Sequence, residues 1–252
     1  MSKRILKASI WCILYVISAS SSFGQTASND STYLQNTIAQ TESNFRKAIG
    51  QESRLYNGPE YQLYDRTIKG NAFYPLDATT WENGEVNYDG IVYKGVPMMY
   101  DIYRDQLAAV LYNRFSIYVF LSERVHDFTL ADHHFVRIVA DSINNNNSGI
   151  TTGFYDQLYG GKVEVLAKRI KNIQNATSSI GIPETYFSAK NEYYIKKGHT
   201  FYNIGSKSSF LNVLKDKKSL LQKYIRDNNI DFRDNREAAM VQIASYYDHL
   251  GN

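Results

Sequence analysis

The spacing of apolar positions changes twice along the chain. Tyr33, Leu34, Ile38, Phe45 and Ile49 recur near a helical period with Gln, Thr and Glu between them, and Gly50 follows. This predicts a helix over about 33–49 that ends at the glycine and buries one sparse stripe. From about 61 to 204 the pattern shortens to alternating runs separated by turn residues. Val86 and Tyr88 alternate with Glu85 and Asn87; Asn83-Gly84 and Asp89-Gly90 read as tight hairpin turns with both glycines at positive φ. Short apolar segments at 107–112, 116–121, 125–130 and 135–138 read as four strands of an antiparallel meander. Further strands are expected at 153–158, 163–173, 185–195 and 200–204, with the four asparagines at 144–147 in an exposed loop.

Helical spacing returns over about 208–250. Phe210, Leu211, Leu214, Leu220, Leu221, Tyr224 and Ile225 carry it, with Asp216-Lys217-Lys218 as a break and Asn228-Asn229 as a stop. Asp234 or Asn235 can cap a last helix. Met240, Ile243, Ala244, Tyr247 and Leu250 share one side of it, so Ile243 and Tyr247 should be buried against the sheet of 86–138 or the 210–226 helices. The fold class expected is α+β: a predominantly antiparallel β sheet, open or partly barrelled, with N- and C-terminal helices. A closed small barrel is the alternative. An outer-membrane barrel fits poorly, because its strands need ~9–11 residues and leave no place for terminal helices.

The first residues read as an address. Lys3, Arg4 and Lys7 precede an apolar run from Ala8 to Ile17, and small residues from Ser18 to Ser22 follow, then Phe23, Gly24 and Gln25. This is the layout of a secretory signal peptide over 1–24, with residues 25–252 as one β-rich domain. The run falls short of the ~20 apolar residues that span a bilayer, so no transmembrane segment is expected in the mature chain. Removing Lys3, Arg4 and Lys7 from 28 Lys+Arg leaves 25, against 25 Asp+Glu. The apparent basicity therefore belongs to the leader, and nucleic acid is not an expected partner. The single cysteine, Cys12, lies inside the apolar run, so the body has no disulfide, thiol nucleophile or cysteine metal site.

The chemistry-bearing residues are few. His126, His133 and His134 lie close together with Asp127 and Asp132, a composition that suits zinc. Against this, adjacent His133 and His134 point to opposite faces if both are in a strand, and no HExxH pattern accompanies them. An ordinary turn with surface histidines is the competing reading, and no cofactor is expected. Asp101 and Asp105 need not converge, and the Gly-x-Ser-x-Gly and phosphate-loop patterns are missing from the sequence.

The unusual quantity is 21 tyrosines. Phenols combine a flat apolar face with a polar tip, which suits both half-wet sheet packing and contact with a partner. Tyr88, Tyr93, Tyr100, Tyr103 and Tyr247 are the candidates for such contact.

Phe23-Gly24-Gln25, the phrase from Leu55 to Tyr61, the stretch from Gly84 to Gly90 continuing through Tyr100-Asp101, and Asp231-Phe232 after a lysine-rich helix resemble a group of uncharacterised secreted or envelope proteins of the Bacteroidota. The resemblance spans roughly 50–250. It implies export to the periplasm or beyond, and carries no activity or site residues. The function expected is that of a non-enzymatic envelope component binding a protein partner or an amphipathic ligand. A polymer-directed hydrolase and a purely structural subunit are the alternatives.

Overall fold

The computed structural model describes residues 32–38, 40–41, 44, 54–75, 81–111, 115–140, 149–177 and 179–251. The expected leader and the four asparagines lie outside them. The chain divides into two units, 1–50 and 51–252. In the first, residues 32–38, 40, 41 and 44 are helical, with Tyr33, Leu34 and Ile38 exposed.

The second unit is built on one antiparallel sheet with eleven strands among the described residues. They are β1 (Phe73–Tyr74), β2 (Glu82–Tyr88), β3 (Ile91–Asp101), β4 (Gln106–Val110), β5 (Ile117–Val119), β6 (Val125–Leu130), β7 (His133–Ile138), β8 (Gly153–Gly160), β9 (Val163–Thr177), β10 (Pro183–Lys197) and β11 (Thr200–Asn203). Three helices follow: α1 (Lys207–Val213), α2 (Lys218–Asp227) and α3 (Arg236–His249). The spatial order is β11-β10-β9-β8-β7-β6-β2-β3-β4-β5, with β1 beside β3. The sheet is open, as the α+β reading expects.

Asp89-Gly90 forms the expected turn, with φ of 53° and 78°. Asn83-Gly84 does not. Both residues lie inside β2, where the register against β3 shifts between Gly84 and Glu85. The glycine serves close approach instead of a turn: a Cβ there would stand 2.4 Å from the Thr129 carbonyl oxygen and from Met98 Cε.

The meander is also corrected. β4 pairs with β5, and β6 with β7, but β6 lies against β2, not β5. Four strand spacings, ~19 Å in a flat sheet, separate β5 from β6, while the six Cα steps from Val119 to Val125 include the compact 3-10 turn Ser122–Arg124. The sheet curls to close this gap. Gly95 at φ 67° and the register shift in β2 bend the β2–β3 pair, and Tyr88 packs on Phe120 at 5.6 Å between ring centroids. The concave side is filled by an aromatic core of Tyr88, Tyr93, Tyr100, Tyr118, Phe120, Phe128, Phe135 and Phe154 with Met98, Leu107 and Leu130. A strap, residues 57–75, runs across the opening. Pro59 and Tyr61 bond to β5, Lys69 bonds to Thr185 and Phe187 of β10, and Phe73–Tyr74 pairs with β3.

The second core lies under the helices. Phe210, Leu211, Leu214, Leu221, Ile225, Met240, Ile243, Ala244 and Tyr247 pack on Val163, Val165 and Ile195. Asn235 caps α3 by accepting from the Ala238 N–H, and Asn229 at φ 50° follows the end of α2. Ile243 and Tyr247 are buried as expected, with α3 docked on α2, within the expected 210–226 helices, and on β8 and β9 of the sheet in place of the 86–138 strands. That part of the sheet has already curled around its own core.

Candidate functional site

β9 carries three cations within four residues, Lys168, Arg169 and Lys171, and all three are buried. Strand alternation sends Lys168 to one face and the other two to the opposite face. Buried charge requires partners, and each side chain finds them on distant elements. Lys168 donates to Asp105 Oδ2 (2.6 Å) and to the Phe154 carbonyl (3.0 Å). Lys171 donates to the carbonyls of Asn71 and Phe73 and to Asn71 Oδ1. Arg169 bridges the sheet and α3: its Nε and Nη2 donate to Asp156 Oδ2 at 3.0 and 2.5 Å, and Nη1 and Nη2 to Glu237 at 2.5 and 3.0 Å. Burial alone would raise the Glu237 carboxyl, yet hydrogen bonds from Arg169 and Tyr193 hold it below its usual range.

His133 joins this cluster. Its Nδ1 lies 2.8 Å from Asp156 Oδ2 and its Nε2 3.0 Å from the Tyr74 hydroxyl. A carboxylate that orients an imidazole is half of a general-base arrangement. Here the other nitrogen faces a phenol that burial pushes up to about 12, the Arg169 guanidinium opposing. Tyr74 therefore stays protonated at neutral pH, and its ring packs edge-on against His133. The arrangement ties β1, β7, β8 and β9 together. His126 is exposed on β6, and His134 meets Thr129 Oγ1 at 3.4 Å. The three histidines do not converge. Among the described residues no group of three His, Cys, Asp or Glu is placed to hold a metal ion.

The aspartates of the β3–β4 turn have separate tasks. Asp101 is fully buried and accepts from the hydroxyls of Tyr61 and Tyr64 and from the backbone N–H of Tyr103 and Arg104. It holds the strap to the sheet. Asp105, at φ 56°, turns to Lys168.

Of the tyrosines singled out from the sequence, Tyr88, Tyr93 and Tyr100 are in the aromatic core and Tyr247 is in the helix core. Their burial leaves only Tyr103, 42% exposed, at the surface. It lies edge-on to Tyr64 and Phe187, and the Arg104 guanidinium sits 4.0 Å above the Tyr64 ring. This aromatic group stands at the root of an arm. Beyond Lys171, β9 pairs only with β10 among the described residues, so 172–177 and 183–186 form a two-stranded ribbon whose outer edge meets Lys69 at Tyr186. No charged residue occurs from 172 to 183, and at the tip Ile180 is 78% and Ile182 55% exposed. These isoleucines are not among the candidates read from the sequence; the uncharged run that ends in Ile-Gly-Ile-Pro is the signal that marks them.

Two surface grooves lie elsewhere. One, about 520 Å³, is lined by Glu82, Glu85, Thr129 and Asp132 with the backbone of Gly84 and Gly95. The other, about 800 Å³, lies between Ser206-Lys207 and the loop of residues 229–236. Neither includes the Asp156–His133 pair. No protein-family model, curated protein or solved structure matches the chain.

Proposed function

We propose that the protein is an exported, non-enzymatic envelope component that docks a partner protein through its β9–β10 arm. The observation that carries this reading is the arm itself. A ribbon without charge over twelve residues, bearing two solvent-facing isoleucines, is costly to leave in water and contributes nothing to either core. The aromatic group at its root, Tyr64, Tyr103 and Phe187, offers the flat rings that enrich protein interfaces. Export is supported by the leader-like first residues. Among the described residues no helix is long and apolar enough to cross a membrane.

The test is site-specific photocrosslinking in the native host, with a photoreactive phenylalanine analogue at position 180 or 182. A discrete protein adduct from both positions, and none from the same probe at exposed Lys94, is the expected result. Adducts to lipid alone would replace the partner protein by an amphipathic ligand. Equal labelling at Lys94, or none at the tip, would remove the arm from function.

A further inference from the structure

We propose that Lys168 and Asp105 become joined by a side-chain amide bond, an internal cross-link that ties the β3–β4 turn to the middle of β9. Asp105 in the β3–β4 turn and Lys168 in β9 come from elements far apart in the sheet order, and the curl brings them together. Lys168 Nζ stands 2.6 Å from Asp105 Oδ2, one bond from the carboxyl carbon Cγ. The contact is held by the surrounding fold and not by a flexible surface pair.

Burial favours the neutral amine of Lys168. The Lys168 side chain is almost wholly buried, and its ammonium lies over the Tyr155 ring at 4.8 Å. Burial pulls Lys168 below its usual value, with Asp105 and its cross-strand neighbour Glu192 opposing. On the other side, the Tyr100 hydroxyl donates to Asp105 Oδ1 at 2.5 Å. The Phe154 N–H faces both carboxyl oxygens at 3.3–3.4 Å. Gly153 makes room for the pair: a Cβ there would stand 2.0 Å from Asp105 Oδ2 and 2.5 Å from Lys168 Nζ, and its φ of 151° is one that side chains disfavour.

The step balances within the pair. The Lys168 ammonium passes a proton to Oδ2, giving amine and carboxylic acid. Nζ then adds to Cγ, while Oδ1 takes the developing negative charge against the Tyr100 hydroxyl. The Cγ–Oδ2 bond breaks, Oδ2 leaves as water with a second proton from Nζ, and the amide remains. Nothing is oxidised or reduced. Lys171 is the contrasting case: three oxygens of Asn71 and Phe73 surround its Nζ, and none of them is a carboxylate that can take its proton. A body with no cysteine has no disulfide to fasten its curl, and this bond would do so without a redox requirement.

Denatured full-length protein, digested with trypsin and mapped by mass spectrometry, tests it. The expected product is a branched peptide joining residues 105–114 to 163–169, lighter than its two parts by one water, about 18 Da. The Lys168→Arg variant should yield the linear 105–114 peptide. Tyr100→Phe should slow appearance of the branched product in freshly made protein. Wild-type protein that gives only the linear 105–114 and 163–168 peptides overturns the proposal, whether or not either variant folds. So does a branched product that has lost ammonia and maps to Lys171 and Asn71.

Discussion

Replacing Ile243 by Ala tests whether the helices belong to the fold or decorate it. Ile243 is fully buried, and so are Met240 and Ala244 beside it on α3. Around it lie Phe210, Leu221 and Ile225 from the other helices and Val163, Val165 and Ile195 from the sheet. The change removes three carbons from this environment, at about 0.8 kcal/mol each, so transfer alone costs ~2.4 kcal/mol. A cavity term adds to it, because side chains held by both a sheet and two helices collapse only partly. The whole should fall within ~2–5 kcal/mol. Equilibrium urea unfolding, followed by the near-UV signal of the tyrosines, reads it. Tyr247 in the same core and the Tyr224–Tyr246 stack at 3.9 Å between helices report the region directly. The midpoint should drop with the slope unchanged. A loss under ~0.5 kcal/mol would mean that α3 is peripheral and that the packing argument is wrong.

Two further outcomes follow from the same geometry. Gly84→Ala should destabilise by ~1–3 kcal/mol in thermal melts, since its Cβ would overlap the immobile Thr129 carbonyl oxygen; an unchanged midpoint would show that β2 can move away from β6 at no cost. Glu237 is held below the usual carboxylate value of 4.5, so its contribution is complete above that pH and is lost as pH falls through the folded value. Wild-type stability should therefore fall more steeply below pH ~4.5 than that of Glu237→Gln, which itself should lose about 1.5–3 kcal/mol at pH 7; parallel pH profiles of the two proteins would refute this linkage.

Local signals were legible and pairings were not. The span of β6, 125–130, follows from its alternation and its flanking turns, and the Asn235 cap from the residue types that start helices. Both depend on a few neighbouring residues. The adjacency of β6 to β2 depends on how far the sheet curls, which is set by a glycine at 95 and a register shift at 84–85. Asn-Gly reads as a turn because both residues tolerate positive φ. At 83–84 the tight approach of Met98 and Thr129 uses the glycine differently, and those contacts arise only after β3 and β6 have folded back.

The buried charges were hidden for a similar reason. Nothing in the sequence around Lys168, Arg169 and Lys171 marks them as buried, because lysine and arginine are seldom buried without partners. The partners exist, but Asp105 is 63 residues from Lys168 and Glu237 is 68 from Arg169. The tyrosines complete the picture. Tyr61 and Tyr64 donate to Asp101, Tyr100 to Asp105, Tyr193 to Glu237 and Tyr247 to Asp216. In each case the ring packs against the protein while the hydroxyl reaches a carboxylate, so one residue supplies apolar area and a donor together. Phenylalanine would fill the same space and leave the carboxylate short of a bond; serine would supply the bond and leave a void. Asp101 and Asp105 lie at a strand end and a turn of the sheet, and Asp216 and Glu237 lie among the helices, so five of the 21 tyrosines serve packing and hydrogen bonding at once on both sides of the fold.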